Sequence, residues 1–217
     1  MSRPLLLGHR GLRLPGEPPE NTPAAFDRAL ELGCDGFEFD VRCTKDEQAV
    51  LCHDAQYAGR ELAAVSHAQV PQLALLDEVL ARYSGRAFLD IELKVPGLEA
   101  RILGALKQHR PHHGFVISSF HPKILQKLHA LDDGIPLGFI FDRESALTHW
   151  RELPGEYVIP HFPLLKRELL NQLHKSGKKA MVWTVNNVED IRRFRDWGVN
   201  GIVSDDPGLL MKTVSRT

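Results

Sequence analysis

A chain of 217 residues is about the size of one α/β barrel or one large α/β domain, and too short for two ordinary catalytic domains with a linker. With 43% hydrophobic and 25% charged residues it has the make-up of a soluble globular protein, one that buries roughly 70% of its unfolded surface without disulfide help. Lys plus Arg (27) against Asp plus Glu (28) leaves a net charge of -1, which argues against a dedicated nucleic-acid binder, since these carry a basic excess or stripe.

In chain order, short apolar runs alternate with longer stretches of helical period, the pattern of repeated βα units. The first strand is expected at residues 5–9; its apolar part is broken by His9 and Arg10 and is too short for the core of a signal peptide. Thr22 reads as an N-cap with Pro23 at the first helical position, and Gly33 as the stop, so a helix is expected between them. Further strands are expected at 36–41, 87–93, 115–118, 136–140, 157–159, 179–184 and 201–203. Helices are expected near 75–83, 98–109, 122–131, 144–150, 165–175, 188–197 and 207–214. Residues 45–48 are expected to turn a small hairpin, with 49–52 as its returning arm. Eight strands, each followed by a helix, predict a TIM (β/α)8 barrel forming a single domain over residues 1–217. Alternation alone leaves a doubly wound sheet open. Nowhere do about eighteen apolar residues run together, so no membrane anchor is expected. Cys34, Cys43 and Cys52 form no CxxC pair, which disfavours a disulfide framework or structural zinc and suits a cytoplasmic protein.

The most informative signal is charge inside strands. In Gly36-Phe37-Glu38-Phe39-Asp40-Val41, alternation puts Glu38 and Asp40 on one face and Phe37, Phe39 and Val41 on the other. In a barrel the aromatic face would meet the helices, and the carboxylates would point into the lumen. Asp90-Ile91-Glu92-Leu93-Lys94 repeats the device, and Leu5, Leu7 and His9 share a face that ends in a histidine. Unpaired buried carboxylates are costly, so several in one lumen need a compensating cation. Carboxylates from two strands suit a hard divalent ion, Mg²⁺ or Ca²⁺. Ion pairing of Glu38 and Asp40 with Arg10, Arg42 or Lys94 is the alternative. His9, and the His53 of His53-Asp54 at the end of the returning hairpin arm, are candidates for general acid and base, because imidazole titrates near neutrality. No GxSxG elbow, Walker A loop or GxGxxG motif occurs.

Taken in order, Gly8-His9-Arg10-Gly11, Pro19-Glu20-Asn21-Thr22, Gly36 to Val41, His53-Asp54 and Asp90 to Lys94 resemble the glycerophosphodiester phosphodiesterases. The resemblance continues through Val116-Ile117-Ser118-Ser119-Phe120, Val182-Trp183-Thr184-Val185-Asn186 and Gly198 to Asp205, and so covers nearly the whole chain. It implies a TIM barrel that hydrolyses small-molecule glycerophosphodiesters to glycerol 3-phosphate and an alcohol, with one divalent cation. By motif position, Glu38, Asp40 and Glu92 would hold the metal, and His9 and His53 would be the acid/base pair. Arg10 and Lys94 would grip the phosphate, while Trp183 would face the glycerol pocket or pack the lumen. Glu20 and Asn21 would either brace the loop or touch the ligand. The chain departs from larger members in its short excursion from residue 55 to 70, where Tyr57, Arg60 and His67 are the candidates to reach a ligand. Glu47 stands where a turn glycine is common. Action on lysophospholipids and a catalytically silent phosphate-binding barrel are the competing readings.

Overall fold

The structure is a computed structural model that describes residues 3–214. Among the described residues eleven strands run in chain order: β1 (Leu5–Gly8), β2 (Gly36–Cys43), β3 (Ala49–Leu51), β4 (Gln56–Tyr57), β5 (Arg60–Glu61), β6 (Phe88–Leu93), β7 (Phe115–Ser119), β8 (Leu137–Phe141), β9 (Tyr157–Pro160), β10 (Lys179–Val182) and β11 (Gly201–Ser204). Eight of them pair in parallel in the order β1-β11-β10-β9-β8-β7-β6-β2, and β2 returns to β1. That last pairing closes the sheet into a barrel and excludes the open, doubly wound alternative. The remaining three strands belong to the excursion after β2. There β3 folds back antiparallel on β2, with Val41 opposite Leu51, and β4 and β5 make a separate small hairpin. Glu47 closes the turn before β3 with φ at 59°, the left-handed conformation that a glycine would adopt at less cost.

Seven helices among the described residues cover the outside: α1 (Pro23–Glu31), α2 (Leu76–Tyr83), α3 (Glu99–Gln108), α4 (Pro122–Leu131), α5 (Arg167–Lys175), α6 (Val188–Trp197) and α7 (Pro207–Val214). Thr22 caps α1 as expected, its hydroxyl accepting from the Ala25 amide at 3.3 Å. The helix expected at 144–150 does not form. Two single 3-10 turns, Glu144–Ala146 and His149–Arg151, fill the gap after β8. Seven residues scarcely repay the cost of nucleating a helix, and Pro154-Gly155 stop any extension; Trp150 is buried against the barrel all the same. The strand expected at 179–184 is also shorter. It ends at Val182, and Trp183 adds only an isolated bridge to His161.

Strand alternation divides the apolar residues between two cores. Leu7, Phe88, Val116, Ile140, Tyr157, Ile159, Met181 and Val203 pack inside the barrel. Phe37, Phe39, Val41, Ile91, Leu93 and Ile117 face outwards and meet the helices. The outer core is tightest under α1, where Phe26 stacks on Phe37 with ring centres 4.1 Å apart and Tyr83 of α2 sets its edge against Phe37 at 5.0 Å. The Tyr83 hydroxyl donates to the Pro23 carbonyl at 2.9 Å, tying α2 to the start of α1. Since β2 carries both this cluster and the lumen carboxylates, Phe37→Ala is expected to lower unfolding free energy by about 3–5 kcal/mol, measured by urea denaturation. A loss below about 1 kcal/mol would show that the cluster does not anchor β2.

Candidate active site

The candidate side chains gather at the C-terminal mouth of the barrel. The first group is set by the turn after β1. A Cβ on Gly8 would lie 1.8 Å from the Gly11 carbonyl oxygen, and Gly11 has φ at +86° against the backbone of Ala25. Two glycines therefore allow the tight turn that presents His9 and Arg10 to the lumen. His9 is buried beside β11. Its Nδ1 donates to Asp205 Oδ1 at 2.7 Å, and its Nε2 faces Glu38 Oε2 at 3.8 Å.

The second group follows from the register of β2 on β6. Glu38 stands opposite Asp90 and Asp40 opposite Glu92, so four carboxyls occupy one patch of the lumen wall. Oxygens of Glu38, Asp40 and Glu92 all lie within 4.8 Å of one another. Asp90 sits apart from this triad and accepts from the Ser118 hydroxyl at 2.5 Å. Two cations answer the cluster. Arg10 Nε is 3.1 Å from Asp40 Oδ2, and Lys94 Nζ is 2.7 Å from Glu92 Oε1 and 3.3 Å from Asp40 Oδ1. Glu20 and Asn21 act as braces. Glu20 holds both Arg10 and Arg13, and the Asn21 side chain donates to Asp40 Oδ2 at 2.9 Å while accepting from the Asp40 amide at 3.1 Å.

The hairpin supplies His53. The Cys52 amide donates to the Asp40 carbonyl at 3.1 Å, which extends the β2–β3 pairing and carries the next residue to the rim. His53 Nδ1 donates to Asp54 Oδ1 at 2.7 Å, as His9 does to Asp205. The exposures differ sharply: the His53 side chain is 36% accessible and that of His9 only 9%.

Together these residues enclose a cavity of about 230 Å³. Its polar side carries His9, Arg10, Glu38, His53, Glu92 and Lys94, with Asp90 below; its apolar side carries Phe120, Ile140, Ile159, Trp183 and Val203. Asp40 lies just behind the wall, 1% exposed. Trp183 stands edge-on to Phe120 at 5.5 Å and donates from Nε1 to the Ile159 carbonyl at 3.1 Å, so it is part of the wall. Tyr57, Arg60 and His67 do not line the cavity. Arg60 and His67 reach the carbonyls of Gln69 and Leu73, and Tyr57 packs against the small core around Val50 and Leu62, all within the same excursion.

The model of the glycerophosphoryl diester phosphodiesterase family matches residues 9–84 and 97–209. The chain belongs to this family. A glycerophosphodiester phosphodiesterase of Caldanaerobacter subterraneus is 29% identical, with the alignment covering 98% of either protein. Among solved structures, a glycerophosphodiester phosphodiesterase of Thermotoga maritima superposes with a TM-score of 0.84 at 24% identity, covering 98% of this chain and 99% of that one. A phosphodiesterase of Oleispira antarctica, solved with its product sn-glycerol-3-phosphate, gives 0.86 at 23% identity over 98% and 97%. The family match skips residues 85–96, the stretch that holds Glu92 and Lys94. In this member the register of β6 on β2 is what places those two side chains.

Asp205 is the site residue that the strand pattern alone did not single out. It extends the inward series Gly201, Val203, Asp205 one step past β11, as His9 extends Leu5 and Leu7 past β1, and the two strands are paired. The same alternation therefore contained the signal, one residue beyond the end of the strand.

A divalent cation of the kind associated with this family fits the triad. Glu38 Oε1, Asp40 Oδ1 and Glu92 Oε1 are buried and accept no hydrogen bond; Lys94 approaches two of them as an ion pair without hydrogen-bond alignment. Three carboxylates aimed at a common point form an oxygen donor set for a hard ion. Burial, then the charges of Asp40 and Glu92, pushes Glu38 well above the usual carboxylate range. Burial lifts Glu92 to about 7 against the pull of Lys94, and lifts Asp90 to about 7 in spite of the Ser118 hydroxyl. Burial would raise Asp40 too, but Lys94, Arg10 and Asn21 outweigh it and hold Asp40 below its ordinary value.

A raised carboxyl binds a proton that the unfolded chain has released, so its contribution to stability is lost as pH climbs from 4.5 towards about 7. Burial lowers the pKa of His9, which works in the opposite sense, so the effect is read as a difference. The thermal midpoint of metal-free Glu92→Gln is expected to rise relative to metal-free wild type between about pH 5 and about pH 7, and added Mg²⁺ or Ca²⁺ should close that gap. A gap that does not change with pH would contradict the buried carboxylate cluster.

Proposed function

We propose that this chain hydrolyses glycerophosphodiesters to glycerol 3-phosphate and an alcohol, using one divalent cation held by Glu38, Asp40 and Glu92. The observation that carries the reading is one cavity where a buried triad of carboxylates, Glu38 and Glu92 on its wall and Asp40 just behind, stands between two imidazoles, each tethered to an aspartate. Family membership gives the substrate class. A bound cation would withdraw charge from a non-bridging phosphoryl oxygen. Arg10 and Lys94, both on the cavity wall, add positive charge where it builds up in the transition state.

The tethered imidazoles do the proton work. An aspartate on Nδ1 fixes the tautomer and leaves Nε2 to exchange a proton in the cavity. His9 is enclosed beside β11 and the apolar wall that would receive the glycerol carbons, including Trp183, so it is assigned removal of the nucleophile's proton. His53 stands at the open rim, where the alcohol departs, and is assigned its protonation. The attacking oxygen is either water, or the glycerol hydroxyl next to the phosphate, in which case the alcohol leaves first and water then opens the cyclic phosphate to glycerol 3-phosphate. A lysophospholipid would need an apolar surface for its chain at this mouth; among the described residues the exposed large hydrophobic side chains are Leu14 and Leu131, in separate parts of the chain.

Release of glycerol 3-phosphate from glycerophosphocholine should stop with EDTA and return with Mg²⁺ or Ca²⁺, and Glu38→Ala should abolish it in a folded protein. Activity that survives chelation would remove the metal from the reading. Turnover of lysophosphatidylcholine alone would shift the substrate class, and no turnover of either would favour a silent barrel. The two histidines separate by leaving group. On glycerophosphocholine each alanine variant should lose roughly a hundredfold or more in kcat. With a p-nitrophenyl ester, whose leaving group needs no proton, His53→Ala should recover most of its rate and His9→Ala should not. Equal recovery would overturn the assignment of roles.

A further inference from the structure

The catalytic cavity is not closed on the side of β6, β7 and β8. It runs into a groove of about 550 Å³ that shares Glu92, Lys94, Phe120, Ile140 and Asp142 with it. The glycerol side is the apolar wall formed from β9, β10 and β11, so the groove is where the other ester arm of a diester would lie. We propose that this groove selects glycerophosphodiesters whose released alcohol carries a negative charge. The inference rests on the phosphodiesterase reading above and adds a head-group class to it.

The charge of the lining sets the preference. Arg42, Lys94 and Arg143 contribute three permanent cations, with the imidazoles of His121 and His149 beside them. Lys94 is spent on Glu92 and Asp40. In the lining one carboxylate, Asp142, stands against the other two, its oxygen 3.5 Å from Arg143 Nε on a side chain 82% exposed, and Asp54, outside the lining, also feels the charge of Arg42. Arg42 is the better defined of the pair. It continues the inward face of β2 one step beyond Asp40, and its Nε donates to the His53 carbonyl at 2.7 Å. That bond orients the guanidinium on the wall of the groove. Its two terminal amino groups meet no acceptor among the described residues and remain available to a ligand oxygen.

A quaternary ammonium head group finds no equivalent welcome. Such groups bind on open aromatic faces. Phe139 and Phe141 are buried, and the Phe120 ring already has the Lys94 ammonium 5.6 Å from its centre. A second cation there would meet a like charge.

The test uses four diesters of glycerol phosphate with alcohols of similar length: 3-hydroxypropionate, 3-hydroxypropyl phosphate, 1,3-propanediol and choline. The metal-loaded wild type should turn over at least one anionic diester with kcat/KM about tenfold above choline, the worth of one charge-assisted hydrogen bond, with propanediol between them. Whichever anionic arm is faster tells a carboxylate site from a phosphate site. The ratio should shrink as salt is raised, because the groove is open to solvent. Arg143→Gln should reduce the anion preference, read as the ratio of kcat/KM for the anionic diester to that for the propanediol diester. Arg42→Gln should lower kcat on all four, since it also releases the His53 carbonyl, and reduce the preference further; Arg42→Lys should restore the preference but not kcat. Choline turned over as well as the anions, or a ratio untouched in both glutamine variants, would overturn the inference while leaving the phosphodiesterase reading intact. No turnover of any of the four would sink both.

Discussion

Four carboxyls confined in one low-dielectric patch are the constraint on which the rest of this molecule depends. The register of β2 on β6 sets Glu38 beside Asp90 and Asp40 beside Glu92, and strand spacing leaves them no room to separate. Two like charges about 5 Å apart repel by about 3 kcal/mol even at an effective dielectric of about 20, so full ionisation is not free. Arg10 and Lys94 supply two positive charges against four negative ones. The deficit of two equals the charge of one divalent ion. Without an ion the same deficit is met by protons, which is why burial and mutual repulsion lift Glu38, Asp90 and Glu92 while Asp40, which pairs with both cations and with Asn21, stays low. Protons and metal thus compete for the same negative charge.

The barrel makes this arrangement tolerable. Below the carboxyls the lumen is plugged by Leu7, Phe88, Val116, Tyr157 and Met181, so water reaches the site only from the mouth. Outside, the Phe26–Phe37–Tyr83 cluster clamps the opposite face of the very strand that carries Glu38 and Asp40. The stabilising and destabilising halves of β2 are alternate residues of one segment. Asn21, with φ at 57°, reaches across to bond both the carboxyl and the amide of Asp40, which fixes that side chain before any ligand arrives.

Much of this was legible in the sequence because a period of two is a local rule. It sorted Glu38, Asp40, Asp90, Glu92 and Lys94 to the inside and Phe37, Phe39 and Ile91 to the outside without any knowledge of neighbours. Closure was not local; alternation of strand and helix is equally compatible with an open sheet, and only the pairing of β1 with β2 decides it. The 144–150 segment misled because apolar spacing reports burial, which Trp150 has, whereas helix formation also needs length. Hydrogen-bond partners are not local. Alternation marks Asp205 as inward-facing but not that it meets His9 across 196 residues of sequence, nor that Arg42 bonds a backbone carbonyl eleven residues away. Glu20 and Asn21 were visible as a motif, but bracing and ligand contact could be told apart only once their partners were known.

The short excursion after β2 ties these observations to specificity. Its residues 55–70 are occupied with their own backbone: Arg60 and His67 turn to carbonyls of the same loop, and Tyr57 packs beneath it. None of residues 55–70 lines the cavity, and His53 stands at an open rim while His9 is enclosed. On the proposed function, one half of the site is built into the barrel wall and would recognise what every substrate shares, the glycerol and the phosphate. The half that varies between substrates must be read by what is left at the rim, namely Arg42 at the end of β2 and the loops after β7 and β8. Selectivity in such a protein is decided by charge at a wet surface, where it is modest and sensitive to salt, while catalysis depends on charge in a dry one. The same strand supplies both: Asp40 faces the dry side and Arg42, two residues on, faces the wet one.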